Sequence, residues 1–178
     1  MGGVSLSLGL ELSAPAVHDW PVSERGLLRH TLATLAYRGA KARRDAPVDF
    51  AGFRAGDMTR TPVEILAHIG DLLDWGLRMT RGEHRWTVAE PLSWDREVDR
   101  FFACLERLDA ALAAREAASF PDEKIFRGPI ADSLTHVGQL AMLRRLHGSP
   151  IRGENYFRAE IETGRVGRDQ AAPVREFD

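Results

Sequence analysis

Residues 93–112 read SWDREVDRFFACLERLDAAL, and their spacing decides the architecture. Trp94, Val98, Phe101, Leu105, Leu108 and Leu112 advance by four, three, four, three and four positions. An α-helix turns once in about 3.6 residues, so this alternation keeps the six side chains on one stripe. Such an a/d stripe is buried by neighbours lying nearly parallel to it, as in a helical bundle. Ser93 suits the N-cap position, and the helix is expected to end near Ala118, before Pro121.

The flanking sequence supplies the neighbours. Thr61-Pro62-Val63-Glu64 places a capping hydroxyl first, proline at the first helical position and glutamate at the third. The helix it opens should run to about Thr80, with Ile65, Leu66, Ile69, Leu72, Leu73 and Gly76 as its core stripe. Leu28, Leu32, Leu35 and Gly39 recur at helical spacing and predict a first helix over about Ser23 to Arg44. Pro47 and the stretch to Asp57 form a loop. A fourth helix is expected from Gly128-Pro129 to His147, stopped by Gly148. The reading is an all-α four-helix bundle forming a single domain over residues 1–178.

Two flanks stand outside the bundle. Residues 1–20 make an N-terminal arm. Within it Val4, Leu6, Leu8, Leu10 and Leu12 alternate with Ser5, Ser7, Gly9 and Glu11, a period of two that suits an extended segment. It is either an ordered arm on the bundle or a partner chain, or a tail extended by local preference. Residues 150–178 form a C-terminal extension, with a short extra helix expected over about Glu154 to Glu162. The extension mixes aromatics, glycines and arginines. It could act as a lid with Asn155, Tyr156 or Arg165 facing a ligand, or as a brace or dimer contact.

Composition narrows the function. The 178 residues carry a net charge of −2, and the basic groups at Arg38–Arg44 and Arg144-Arg145 are short. This opposes a nucleic-acid binder, which needs clustered cations to neutralise phosphates. No apolar run approaches about 18 residues, so no membrane span is expected. No secretory signal is visible, and Ser5 falls one place early for myristoylation. The lone cysteine, Cys104, can form no intramolecular disulfide, which fits a reducing cytoplasm; on the third helix it reads as a packed thiol.

The chemistry lies on two helices. On the fourth, Asp132, His136, Gln139, Leu140 and Leu143 fall within about 50° of His136 around the axis, at roughly 100° per residue. Polar groups sharing a face with core leucines need partners. Asp132 and His136, four apart, meet over one turn and can grip one ion from a single helix. On the second helix, His68 sits at the margin of the apolar stripe, beside Glu64, Trp75 and Met79. If the two helices face each other, two imidazoles and one carboxylate converge and leave positions open for water or substrate. Spacing alone leaves another reading open. Asp132 also suits the first turn of its helix through the macrodipole, and a single buried histidine is commonly a core residue. Glu64 is already explained by its cap. His18, His30, His84 and His147 lack a partner at ligand spacing and read as structural or surface groups.

The segment Thr61-Pro62-Val63-Glu64-Ile65-Leu66-Ala67-His68-Ile69-Gly70-Asp71-Leu72-Leu73-Asp74-Trp75 resembles the second helix of the DinB superfamily. Leu134-Thr135-His136-Val137-Gly138-Gln139-Leu140 is similar to that family's His-Arg-Gly-Gln helix. The order and lengths of the four main helices agree over roughly residues 20–165. The resemblance implies a four-helix bundle, often dimeric, with a divalent metal held by three histidines, one on the second helix and two on a late His-x-x-x-His pair. His68 matches the first position and His136 the last. The middle position is Asp132, a departure with three outcomes: a two-His-one-carboxylate site, a weakened site, or one without metal. A carboxylate shifts preference from zinc or nickel toward manganese or iron. Gln139 matches the family's glutamine, which either orients a ligand or bonds a neighbouring helix. The superfamily includes thiol-dependent transferases and isomerases and metal-dependent hydrolases. The resemblance therefore implies a divalent-metal-dependent enzyme acting on an unidentified small molecule as a homodimer. The competing expectation is a non-catalytic, stress-associated dimer that binds a metal or ligand.

Overall fold

The computed structural model describes residues 24–114 and 120–177. The N-terminal arm and the expected end of the third helix at Ala118 lie outside them. The described chain is predominantly helical, with one small two-stranded sheet. Its long helices are α1 (Glu24–Arg43), α2 (Pro62–Thr80), α3 (Trp94–Ala113) and α5 (Ala131–Leu146), with the short α4 (Asp122–Ile125) before α5. The α2 helix packs on α3 and α5, and α1 packs on the same two, so every long helix has two long neighbours. No helix among the described residues is long and apolar enough to cross a membrane.

The α3 seam behaves as its spacing requires. Val98, Phe101, Leu105, Leu108 and Leu112 are buried in one continuous core with Leu32, Leu35, Ile69, Leu73 and Ile130. Trp94 closes one end edge-on to Phe50, ring centroids 5.7 Å apart. Gly39 of α1 makes room for the Phe101 ring of α3, because a Cβ there would stand 2.6 Å from Phe101 Cζ. The start of α2 carries a complete capping box. The Glu64 amide donates to Thr61 Oγ1 at 3.3 Å, and the Thr61 amide donates to Glu64 Oε2 at 2.7 Å. Ser93 occupies the N-cap of α3, yet its side chain makes no capping bond. Instead the buried Glu97 accepts the Leu92 amide at 2.9 Å and pairs with Arg100 at 3.5 Å.

The fourth expected helix begins earlier than predicted. Helical structure starts at Asp122, passes through a π-turn at Phe126–Ile130 and continues as α5. Pro129 lacks the N–H that the preceding turn requires, and a wider turn absorbs that loss. Gly128 admits the Trp75 ring here, since a Cβ would stand 3.2 Å from it. The π-turn ends two residues before Asp132, at the start of the helix that carries Asp132 and His136. At the far end, Arg144 of α5 donates to the carbonyls of Ala42 and Arg44, at 3.1 and 2.9 Å. It thereby caps the C-terminus of α1, where exposed carbonyls favour a cation.

The expected helix at Glu154–Glu162 does not form. Only Tyr156–Arg158 makes one 3₁₀ turn, and Gly153-Glu154 (β1) pairs antiparallel with Glu176-Phe177 (β2). A buried ion cluster holds this extension on α1. Tyr37 donates to Glu154 at 2.6 Å, and the Lys41 ammonium reaches Glu154 and Glu176, each at 2.7 Å. Burial by itself favours the neutral amine, but the bonds to Glu154 and Glu176 outweigh it and raise the Lys41 pKa. These bonds tie the extension to α1, as a brace would be tied.

Candidate metal centre

Helices α2 and α5 face each other, as a shared site requires. His68 and His136 meet edge to face, ring centroids 4.7 Å apart at 84°. His136 Nε2 lies 3.4 Å from Asp132 Oδ1. One potential ligand atom from each of His68, Asp132 and His136 falls within 4.8 Å of the others, so the group could hold a metal ion. A tetrahedral ion with bonds near 2.1 Å separates its ligands by about 3.4 Å. The Asp132–His136 pair already has that spacing, and the His68 donor lies within 4.8 Å of both. The donors, two imidazoles and a carboxylate, match divalent first-row metals.

Local contacts prepare the donors. Gln139 Oε1 lies 2.9 Å from His136 Nδ1, a contact that holds the ring with Nε2 on the Asp132 side. Gln139 thus meets His136 on its own helix. Burial, together with nearby His136 and Arg60, pushes the His68 imidazole below its ordinary value of 6.5, against Asp132 and Asp71. His68 is therefore neutral at pH 7, the form that can ligate. Asp132 is the open side of the group: its side chain is 47% exposed, against 12% for His136.

The segment between α2 and α3 contributes what periodicity cannot reveal. Trp86 stands edge-on to His68 and to Trp75, at 5.7 Å from each. Asp71 latches this segment by accepting the Ala89 amide at 3.2 Å while its other oxygen binds Arg100. His84 packs on Trp75 at 5.6 Å and is not among the grouped ligands. His30 bonds Thr163, and His147 packs between Phe50 and Phe53, so both have structural roles. Cys104 is buried, which raises its thiol pKa despite the Arg107 contact; it is a packed thiol. His18 lies outside the described residues.

Two clefts flank the group. A polar one of about 480 Å³ includes Arg54, Arg60, His68, Val88 and Glu90 in its walls. The other, about 460 Å³, is walled by His136 and Gln139 with Ala55, Ile65, Met142, Leu143 and Leu146. Thr59 and Arg60 line both. No residue of the C-terminal extension is among those lining either cleft. Compared with protein-family models, with curated proteins and with solved structures, the chain matches none.

Proposed function

We propose that this protein is a four-helix bundle of the DinB type and a divalent-metal-dependent enzyme, either a thiol-dependent transferase or a hydrolase. The observation that carries the reading is the convergence of His68, Asp132 and His136 from facing helices. The resemblance of Thr61–Trp75 and Leu134–Leu140 to that superfamily supports it independently. The same resemblance extends the reading to a homodimer, and the lone Cys104 to a reducing cytoplasm.

A divalent ion held there lowers the pKa of a bound water or thiol and so supplies a nucleophile near neutral pH. The chain's residues have separable tasks in this scheme. His68 and His136 donate through neutral imidazole nitrogens. Gln139 holds the His136 ring. Asp132 donates a carboxylate oxygen and, being open, leaves its side of the group accessible. Trp86 packs edge-on against His68 and covers that side of it.

One observation favours the non-catalytic alternative. Glu64 and Asp71, the acidic groups flanking His68 on α2, are engaged in the helix cap and in the Arg100 pair. Neither is free to serve as a general base. Metal content separates the readings. Purified protein reconstituted with zinc, nickel, manganese or iron should hold close to one ion per chain, and His136→Ala should lose it. Elemental analysis finding no metal in either protein rejects the site. A loaded protein that is inert toward thiol-transfer and ester or amide substrates supports the binding alternative.

A further inference from the structure

We infer that the site takes an amphipathic monocarboxylate, its anionic head on Arg60 beside the metal group and its aliphatic or aryl tail in the Ile65–Leu146 cleft. The inference rests on the metal-centre reading for the position of the head and on the two clefts for the rest.

Arg60 is the pivot. It lines both clefts and is close enough to His68 to disfavour that residue's protonation. The other arginines nearby are paired: Arg54 with Glu64 at 3.1 Å, and Arg100 with Asp71. Among the described residues no ion pair or hydrogen bond engages the Arg60 guanidinium. A planar fork of N–H donors beside a cation site matches a carboxylate, which can give one oxygen to the ion and share its charge with the guanidinium. The polar cleft also carries Asp57 and Glu90. Their negative charge repels a dianion such as phosphate more than a single carboxylate, so of the anions Arg60 could hold a monoanion fits best.

The tail follows from the second cleft. Beyond the His136–Gln139 edge its walls are Ala55, Ile65, Met142, Leu143 and Leu146, and Arg60 is its one formally charged residue. Met142 and Leu146 are 56% and 59% exposed, an apolar rim left facing water. Apolar area in water is unfavourable, and covering it with a ligand tail recovers that free energy. The volume lies in the range of small-molecule sites. The head is held at the junction of the clefts, so the tail can enter only from the side where the wall is apolar.

The test is calorimetric titration of the full chain, reconstituted with zinc, against octanoate, octylammonium and acetate. Octanoate should bind at least tenfold more tightly than either of the others. Arg60→Gln and Leu146→Asn should each weaken octanoate at least tenfold while zinc content and helical circular dichroism stay unchanged. Arg60→Lys should recover part of the loss. Octylammonium binding as tightly as octanoate, or octanoate binding equally well to Arg60→Gln, overturns the inference. Zinc content measured on the same samples separates the two readings. One zinc per chain with no octanoate binding sinks this inference and leaves the metal centre standing. Octanoate binding that depends on Arg60 in protein holding no zinc sustains the inference and rejects the metal centre.

Discussion

His68 occupies a position where one proton changes both stability and chemistry. Its folded pKa lies below the ordinary 6.5, first through burial and then through His136 and Arg60. The unfolded chain therefore binds more protons than the folded one between the two values, and folding stability rises with pH across that interval. Metal-free protein should keep the whole contribution of His68 above about pH 6.5 and lose it progressively as the pH falls through the depressed folded pKa. Urea midpoints measured from pH 8 to pH 5 should show this decline, and His68→Gln should flatten it. An unchanged slope in the variant would show that His68 is not the titrating group. His68, Asp132 and His136 could be singled out in the sequence because Asp132 and His136 fall one turn apart, His68 sits at the margin of an apolar stripe, and the resemblance of the two helices points to the same positions. Arg60 and Trp86 could not. Both lie outside helices, where no periodicity reports which way a side chain points, and both reach the site through contacts distant in sequence.

Helix packing turns on whether a position is filled or empty. A methyl group at Gly39 would stand 2.6 Å from the Phe101 ring, which is itself fixed in the core. Alanine favours a helix over glycine by roughly 0.5–1 kcal/mol, whereas overpacking a core costs roughly 1–3 kcal/mol. The clash should win, and Gly39→Ala should destabilise by about 1 kcal/mol. At Gly138 in α5 a methyl group would meet nothing within 4 Å. Only the propensity term acts there, so Gly138→Ala should stabilise by roughly 0.5–1 kcal/mol. Denaturant titration of the pair checks the argument, and effects of the same sign would refute it. The α3 stripe and the Thr61 cap were readable because both are local patterns. The start of the last helix was not, because proline ordinarily marks a first helical turn, whereas here a π-turn carries the chain through Pro129. The Glu154–Glu162 helix fails for a different reason. Glu154 answers to Tyr37 and Lys41 on α1 and to the β2 backbone, none of them near it in sequence.

At the scale of the whole molecule, Lys41 joins the first helix to the C-terminal extension. Its side chain is 4% exposed, and the Glu154 side chain it meets is fully buried. Removing one member of such a pair leaves an uncompensated charge in the interior, at a cost of about 3–5 kcal/mol. Lys41→Met should lower stability by that order and make the chain after Ser149 the first site of proteolytic cleavage. Adding Glu154→Gln should recover part of the loss, because the stranded charge is then gone. Limited proteolysis that cuts the variant and the parent at the same rate would show that the extension is held by something else.

The edge-on contact between Trp86 and His68 has an optical consequence. Indole emission depends on the charge and polarity beside the ring, and the imidazole 5.7 Å away carries either a proton, a lone pair or a bound ion. The protein therefore holds its own dye next to the ligand group, and the state of that imidazole is written in the brightness and wavelength of its light without any label attached.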